Sequence, residues 1–164
     1  MLPQATIDLA ATLLAALRER GLTSATAESC TGGLVAAALT AVPGSSDVVQ
    51  GGFVTYSNAM KSRLLGVPEA VLTLHGAVSQ ECARAMAEGA LGAAEAGLAI
   101  ATTGIAGPSG GSAEKPVGLV YIAVARAGGD SAVRRCHFPG DRDEVRAATV
   151  ETALLLALAE LRAG

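Results

Sequence analysis

The sequence predicts an α/β protein in which a mixed, mostly parallel sheet of about five strands carries helices on both faces. Segments with the period of an amphipathic helix alternate along the chain with short apolar runs typical of buried strands. Two of these runs are separated by Gly128-Gly129-Asp130, which predicts a hairpin. Helices that alternate with strands favour a parallel sheet covered on both sides, and the hairpin makes that sheet mixed.

The first half of the chain shows clear start and stop signals. Gly21 and Pro43-Gly44 each follow an apolar helical pattern as a stop, and Ser57 precedes one as an N-cap. The predicted elements are a helix over 7–17, a strand over 22–27, a helix over 34–42, a strand over 48–56 and a short helix over 58–65.

The second half contains a long helix, three strands and a final helix. Ser79 is a good N-cap for the long helix, and Asp141 begins the last one. The predicted elements are a helix from 80 to about 94, strands over 98–103, 117–125 and 132–138, and a helix from 141 to about 158. The segment 104–112 is too rich in glycine for either regular structure.

The composition indicates one globular domain with a large buried core over residues 1–164. Hydrophobic residues make up 51% and charged residues 16%, which excludes disorder for most of the chain. Aromatic residues are only 2%, and twelve Lys and Arg against fifteen Asp and Glu give a net charge of −3. Because nucleic-acid surfaces need basic patches and stacking rings, we expect no nucleic-acid partner.

Nothing in the sequence suggests a membrane, a disulfide framework or a metal. The apolar part of the first helix carries Asp8, and no apolar run reaches about eighteen residues, so we expect a soluble, cytoplasmic protein without a membrane partner. The cysteines and histidines lie far apart, which favours reduced thiols and predicts neither a metal nor another cofactor. These residues are Cys30, Cys82, Cys136, His75 and His137.

Three chemically unusual loops follow predicted strands, over 28–33, 56–61 and 102–112. Loops at the carboxyl ends of parallel strands converge, so they define one candidate site. Ser29 lies where a strand turns into a helix and is a candidate nucleophile, although local sequence alone favours a helix cap at Ser29 or Thr31, because caps far outnumber nucleophiles. The pair Gly32-Gly33 indicates a close approach of backbone or ligand.

A serine nucleophile needs a base, and Lys61 is the strongest candidate. A lysine can accept a proton near neutral pH when desolvation, or a cation such as Arg142, lowers its pKa. His75, in a predicted connecting loop, and His137 have no carboxylate nearby in sequence and are weaker candidates. Cys30 is a rival nucleophile, but a buried, packed thiol is the simpler interpretation.

Five short motifs together resemble one known family. The strings are Ala27–Gly33 (AESCTGG), Gly52–Asn58 (GFVTYSN) followed by Lys61, His75–Ser79 (HGAVS) and Thr103–Pro108 (TGIAGP), with Gly140-Asp141-Arg142 further on. In this combination and order they resemble the CinA C-terminal family over nearly the whole chain.

The resemblance implies a three-layer α/β/α sandwich and a metal-independent amidohydrolase. The implied reaction converts the carboxamide of nicotinamide mononucleotide to the carboxylate of nicotinate mononucleotide, with release of ammonia. Ser29 is then the nucleophile, and Lys61 and Tyr56 are its activating partners. A non-catalytic nucleotide-binding module, acting with protein partners in competence or DNA-damage responses, is the alternative.

The resemblance also implies a set of substrate-binding residues. These are Cys30, Thr31, Gly32, Gly33, Asn58, Thr103, Gly104, Gly107 and Arg142. Arg142 is the predicted cation for the substrate phosphate, while Gly32-Gly33 and the loop over 107–111 both remain candidates for its backbone contacts. The Ala-rich helices are compatible with a homo-oligomer.

Overall fold

A five-stranded sheet forms the centre of the computed structural model, which describes residues 2–164. The spatial order of the strands is β2-β1-β3-β4-β5. The strands are β1 (Ser24–Glu28), β2 (Val49–Val54), β3 (Leu98–Gly104), β4 (Leu119–Arg126) and β5 (Ala132–His137). Strand β1 pairs in parallel with β2 and β3, whereas β4 pairs antiparallel with β3 and β5. Four strands therefore run one way and β4 runs the other, as predicted.

Helices cover both faces of this sheet and complete the predicted three layers. The helices are α1 (Gln4–Glu19), α2 (Leu34–Thr40), α3 (Asn58–Leu65), α4 (Glu69–His75), α5 (Gln80–Ala93) and α6 (Arg142–Ala163). Helices α1, α2 and α6 share one hydrophobic core with the sheet, and α3, α4 and α5 share the other.

Small side chains decide how closely the second layer packs. The buried hydrophobic residues that the three central strands contribute to the core beneath α5 are all alanines, namely Ala27, Ala99, Ala101, Ala123 and Ala125, and Tyr121 of β4 packs partly buried against them. Because the alanine side chains are short, α5 lies close to the sheet. Gly89 of α5 also faces the backbone carbonyl of Leu65 in α3, with no room for a Cβ atom.

The element boundaries differ from the sequence prediction in a few places. Helix α1 begins at Gln4 rather than residue 7, because Pro3 stands before it as the N-cap residue. Helix α4 was predicted as loop, and His75 is its last residue rather than part of a connecting loop. With seven residues and none of them fully buried, α4 is too short to show a helical period.

No helix within residues 2–164 combines the length and the apolar character needed to cross a membrane.

Candidate active site

The sheet topology places Ser29 at a switch point. From β1 the chain passes through α2 to β2 on one side, whereas β3 lies on the other side of β1. Glu28, the last residue of β1, is paired with Val54 of β2 and Thr102 of β3, so the three parallel strands end together. Crevices at such ends are the usual ligand sites of open α/β sheets. The predicted convergence of the three loops is confirmed.

A buried lysine contacts the serine that follows β1. Lys61 Nζ lies 3.1 Å from Ser29 Oγ, and it donates hydrogen bonds to the backbone carbonyls of Thr55 at 2.8 Å and Tyr56 at 3.1 Å. Lys61 is 1% exposed and Ser29 is 9% exposed. Both side chains are thus shielded from water, and only the serine is in part accessible to solvent.

The surroundings of Lys61 favour its neutral form. In this structure the amine donates to the two carbonyls and to the Ser29 hydroxyl oxygen, and in its neutral form it keeps two N–H groups for the carbonyls and gains a lone pair that can accept the serine proton. Burial lowers the pKa of Lys61 below its ordinary value, and the nearby Cys82 and Cys30 oppose this to a smaller extent. Among residues 2–164 no carboxylate lies within salt-bridge distance of its Nζ. The pKa of Lys61 is thus lowered by desolvation and not by the charge of Arg142.

The neighbouring cysteine is a poor nucleophile. Cys30 is 6% exposed and packs in the core beside α2 and α6. Burial raises the pKa of its thiol to about 12. Because the thiolate is the reactive form, the serine is the better candidate at neutral pH.

The turn after Ser29 is held by its own backbone. The Ser29 amide donates to the Thr102 carbonyl at 2.9 Å, and the Gly32 amide donates to the Ser29 carbonyl at 3.0 Å. Gly32 and Gly33 have φ values of 56° and 105°, which side chains rarely tolerate. The glycine pair predicted a close approach of backbone or ligand. In the structure its role is to allow a sharp turn of the backbone.

Glu28, which the sequence analysis did not single out, caps the helix that follows. Its carboxylate is 1% exposed and accepts hydrogen bonds from the amides of Val35 at 2.8 Å and Ala36 at 3.0 Å, and from the Thr31 hydroxyl at 2.6 Å. The N-cap residue Gly33 has no side chain to do this. Neither Ser29 nor Thr31 caps α2, so the serine hydroxyl is left to Lys61. No local spacing rule signals a cap so far from the helix.

A cavity of about 290 Å³ opens beside the serine. Nine of the predicted site residues line it, namely Ser29, Cys30, Tyr56, Asn58, Lys61, Thr103, Gly104, Gly107 and Arg142. Thr31, Gly32 and Gly33 do not, because Thr31 is fully buried against Glu28 and Thr102 and the glycines form the turn. The lining also includes Ala77, Val78, Ser109 and Gly110, which follow α4 or belong to the glycine-rich loop.

Tyr56 and Arg142 form a contact across the mouth of this cavity. Arg142 donates to the Tyr56 hydroxyl at 3.1 Å and to the Gly107 carbonyl at 2.8 Å. Within residues 2–164 the Tyr56 hydroxyl makes no hydrogen bond with Lys61 or Ser29, since Lys61 reaches the Tyr56 backbone instead. The geometry supports direct proton transfer between Ser29 and Lys61 rather than a relay through the tyrosine ring.

Both histidines lie away from the cavity. His75 Nδ1 is 3.8 Å from a Glu81 carboxylate oxygen, and His137 Nε2 is 3.1 Å from the Val117 carbonyl. In the described part of the chain, no three His, Cys, Asp or Glu side chains are grouped as metal ligands would be.

Fold and site together define a class: a three-layer α/β/α protein that presents a serine and a desolvated lysine in an open cavity at the switch point of its sheet. The chain belongs to the CinA C-terminal domain family, whose sequence profile matches residues 6–161. It is 59% identical to a CinA-like protein of Geobacter sp. (strain M21) over 84% of this chain and 33% of the relative. A CinA-like protein of Anaeromyxobacter sp. (strain Fw109-5) is 50% identical over 94% of this chain and 38% of its own. The chain thus spans about a third of the length of these curated relatives.

Solved structures match over the full length. The crystal structure of the competence/damage inducible protein CihA from Agrobacterium tumefaciens superimposes with a TM-score of 0.95 at 48% identity, covering 99% of this chain and 98% of the other. A competence-damaged protein (CinA) superfamily member from Klebsiella pneumoniae gives a TM-score of 0.93 at 38% identity, covering 97% and 99%.

Proposed function

We propose that this chain is an amidohydrolase that converts nicotinamide mononucleotide to nicotinate mononucleotide and ammonia. The observation that carries the proposal is the 3.1 Å contact between Lys61 Nζ and Ser29 Oγ. The other two hydrogen-bond partners of the amine are backbone carbonyls, so within residues 2–164 it has no carboxylate partner. A serine needs an adjacent base to be nucleophilic, and a desolvated lysine is such a base. The substrate follows from the resemblance of the motifs to the family.

The reaction begins with acyl transfer to the enzyme. Ser29 Oγ attacks the carboxamide carbon while its proton passes to Lys61 Nζ. Lys61 then returns this proton to the nitrogen of the tetrahedral intermediate, so that ammonia leaves and an ester joins the substrate to Ser29. Lys61 is neutral again at this point.

The second half releases the acid. Lys61 takes a proton from a water molecule, whose oxygen attacks the ester carbon, and the proton then goes to Ser29 Oγ as the bond to the enzyme breaks. The oxyanion of both steps needs a positioned donor. The amide of Cys30 is the best candidate, because Cys30 lines the cavity and its N–H donates to no other described residue.

The remaining substrate groups meet the glycine-rich loop and Arg142. Residues 104–107, together with Ser109 and Gly110, form one wall of the cavity, and loop amides without bulky side chains can approach a phosphate. Arg142 supplies a guanidinium at the same wall, suited to bidentate recognition of phosphate.

Ammonia release from nicotinamide mononucleotide by the purified protein tests the proposal directly. We expect turnover in the wild type and in Cys30→Ala, and none in Ser29→Ala with an unchanged circular dichroism spectrum. If the Ser29→Ala variant released ammonia and a folded Cys30→Ala variant did not, the assignment of Ser29 as the nucleophile would be wrong. Binding of the nucleotide without any ammonia release would favour the non-catalytic module instead.

A further inference from the structure

An arginine outside the cavity holds the turn that carries Ser29. Arg146 lies in the second turn of α6, 115 residues or more along the chain from its partners. Its Nε donates to the Cys30 carbonyl at 3.1 Å, and its Nη2 donates to the Thr31 carbonyl at 3.3 Å. Arg146 does not line the cavity, so a direct role in substrate binding is not indicated.

The contact with Arg146 completes the restraint on the two peptide planes next to the nucleophile. A trans peptide is planar, so fixing its carbonyl also fixes the direction of its N–H. The Gly32 amide holds the Ser29 carbonyl, whose plane contains the N–H of Cys30. Arg146 holds the Cys30 carbonyl, whose plane contains the N–H of Thr31. Neither of these two N–H groups donates to another residue in the part of the chain that is described.

We propose that Arg146 is a positioning residue that orients the turn 29–32 for stabilisation of the oxyanion. The inference rests on the proposed function. Arg146 fixes the peptide plane between Cys30 and Thr31, and this plane shares the Cys30 Cα with the plane that carries the Cys30 N–H, so a turn that Arg146 no longer holds displaces that donor. Because the oxyanion develops only in the transition state, a displaced donor lowers kcat and leaves KM nearly unchanged. Misplacement of such a donor costs about 10- to 100-fold in rate.

Chemical rescue distinguishes this role from a general contribution to stability. A second cavity, of about 340 Å³, is lined by Arg146, Leu34, Asp143 and Val150 and gives access to the position of the guanidinium. In Arg146→Ala we expect kcat for nicotinamide mononucleotide to fall about 10- to 100-fold. Methylguanidinium at low millimolar concentration should restore part of it. Arg162→Ala, an exposed change on the same helix, is the matched control and should match the wild type with and without methylguanidinium.

Three results of this experiment would overturn the proposal. The first two are a kcat of Arg146→Ala within about twofold of the wild type and a lowered kcat that methylguanidinium leaves unchanged. Thermal melts by circular dichroism measure the folded fraction of each variant at the assay temperature, and a loss of rate no larger than the loss of folded protein also counts against it.

A second substrate separates this proposal from the proposed function. p-Nitrophenyl acetate can acetylate Ser29: Oγ attacks the ester carbon, its proton passes to Lys61, and p-nitrophenolate leaves. We expect a Ser29-dependent burst in the wild type and a burst slowed about 10- to 100-fold in Arg146→Ala. Wild-type protein that shows the burst but releases no ammonia from nicotinamide mononucleotide contradicts the proposed function alone. Equal burst rates contradict the role of Arg146, and a wild type that shows neither a Ser29-dependent burst nor ammonia release contradicts both proposals.

Discussion

Lys61 shows how a single residue acquires a chemical role from its surroundings. Its side chain is fully buried, contacts one hydroxyl and two carbonyls, and has no carboxylate partner in residues 2–164. A guanidinium remains protonated in such a place and cannot accept the serine proton. We therefore expect Lys61→Arg to lose kcat by at least about 1,000-fold, within the range that general-base catalysis and a nucleophile's activation supply.

The other lysine of the chain is the control for this change. Lys115 donates to the His75 carbonyl and does not line the cavity, so Lys115→Arg should keep kcat within about twofold of the wild type, as surface changes usually do. Steady-state kinetics with nicotinamide mononucleotide give both constants. If Lys61→Arg kept its kcat and only raised KM, the lysine would be a substrate contact rather than a base.

The pH dependence of activity follows from the same burial. The neutral amine is the active form, and burial lowers the pKa of Lys61 below its ordinary value of 10.5. Activity should therefore rise with pH and level off before 10.5, because protonated Lys61 predominates only below the lowered pKa. Measurements of kcat/KM from pH 7 upward avoid the second ionisation of the substrate phosphate, which occurs at about pH 6. A rise in kcat/KM centred at or above pH 10.5 would contradict the role of Lys61 as a desolvated base.

At the scale of elements, α5 depends on a glycine where it meets α3. In an exposed helix, Gly→Ala is stabilising by roughly 0.5–1 kcal/mol, because glycine loses more backbone entropy on folding. A Cβ at Gly89 would instead collide with the Leu65 carbonyl. We expect Gly89→Ala to lower the free energy of unfolding by about 1–3 kcal/mol, the usual effect of overpacking.

Gly92 of the same helix is the matched position, since no atom of residues 2–164 lies within 4 Å of a Cβ placed there. Gly92→Ala should leave stability unchanged or raise it by up to about 1 kcal/mol. Urea denaturation of the two variants gives the comparison. Equal effects at the two positions would show that α3 and α5 are not packed as closely as described.

At the scale of the whole molecule, Arg142 joins three distant segments around the cavity. It belongs to the first turn of α6 and contacts both the Tyr56 hydroxyl and the glycine-rich loop at Gly107. As a phosphate ligand it should discriminate between nicotinamide mononucleotide and nicotinamide riboside, which lacks the phosphate. We expect Arg142→Ala to raise KM for the mononucleotide about 10- to 100-fold and to leave KM for the riboside nearly unchanged.

Steady-state assays of both substrates with Arg142→Ala and Arg162→Ala check this expectation. Arg162 lies exposed in the last turn of α6 and should affect neither substrate. Equal losses on the two substrates after Arg142→Ala would show that the arginine holds the cavity together rather than binding the phosphate.

The sequence by itself determined the layered α/β fold and the loops in which the candidate site lies. Alternating periods and Gly or Pro stops act within a few residues, so they are readable before folding, and parallel strands bring their carboxyl ends to one edge. On that basis Ser29 and Lys61 could be selected as candidates. The seven-residue α4 escaped prediction because two turns of helix carry too little periodic signal.

Only the tertiary structure decided which side chains meet and which charges are desolvated. Glu28 caps α2 from outside the helix, Arg146 reaches the serine turn from α6, and the Tyr56 hydroxyl contacts Arg142 instead of the lysine. These contacts join segments that are up to 116 residues apart. The lowered pKa of Lys61 likewise depends on what packs around it. Local sequence does not encode either property, because distances and burial arise only when the layers close on one another.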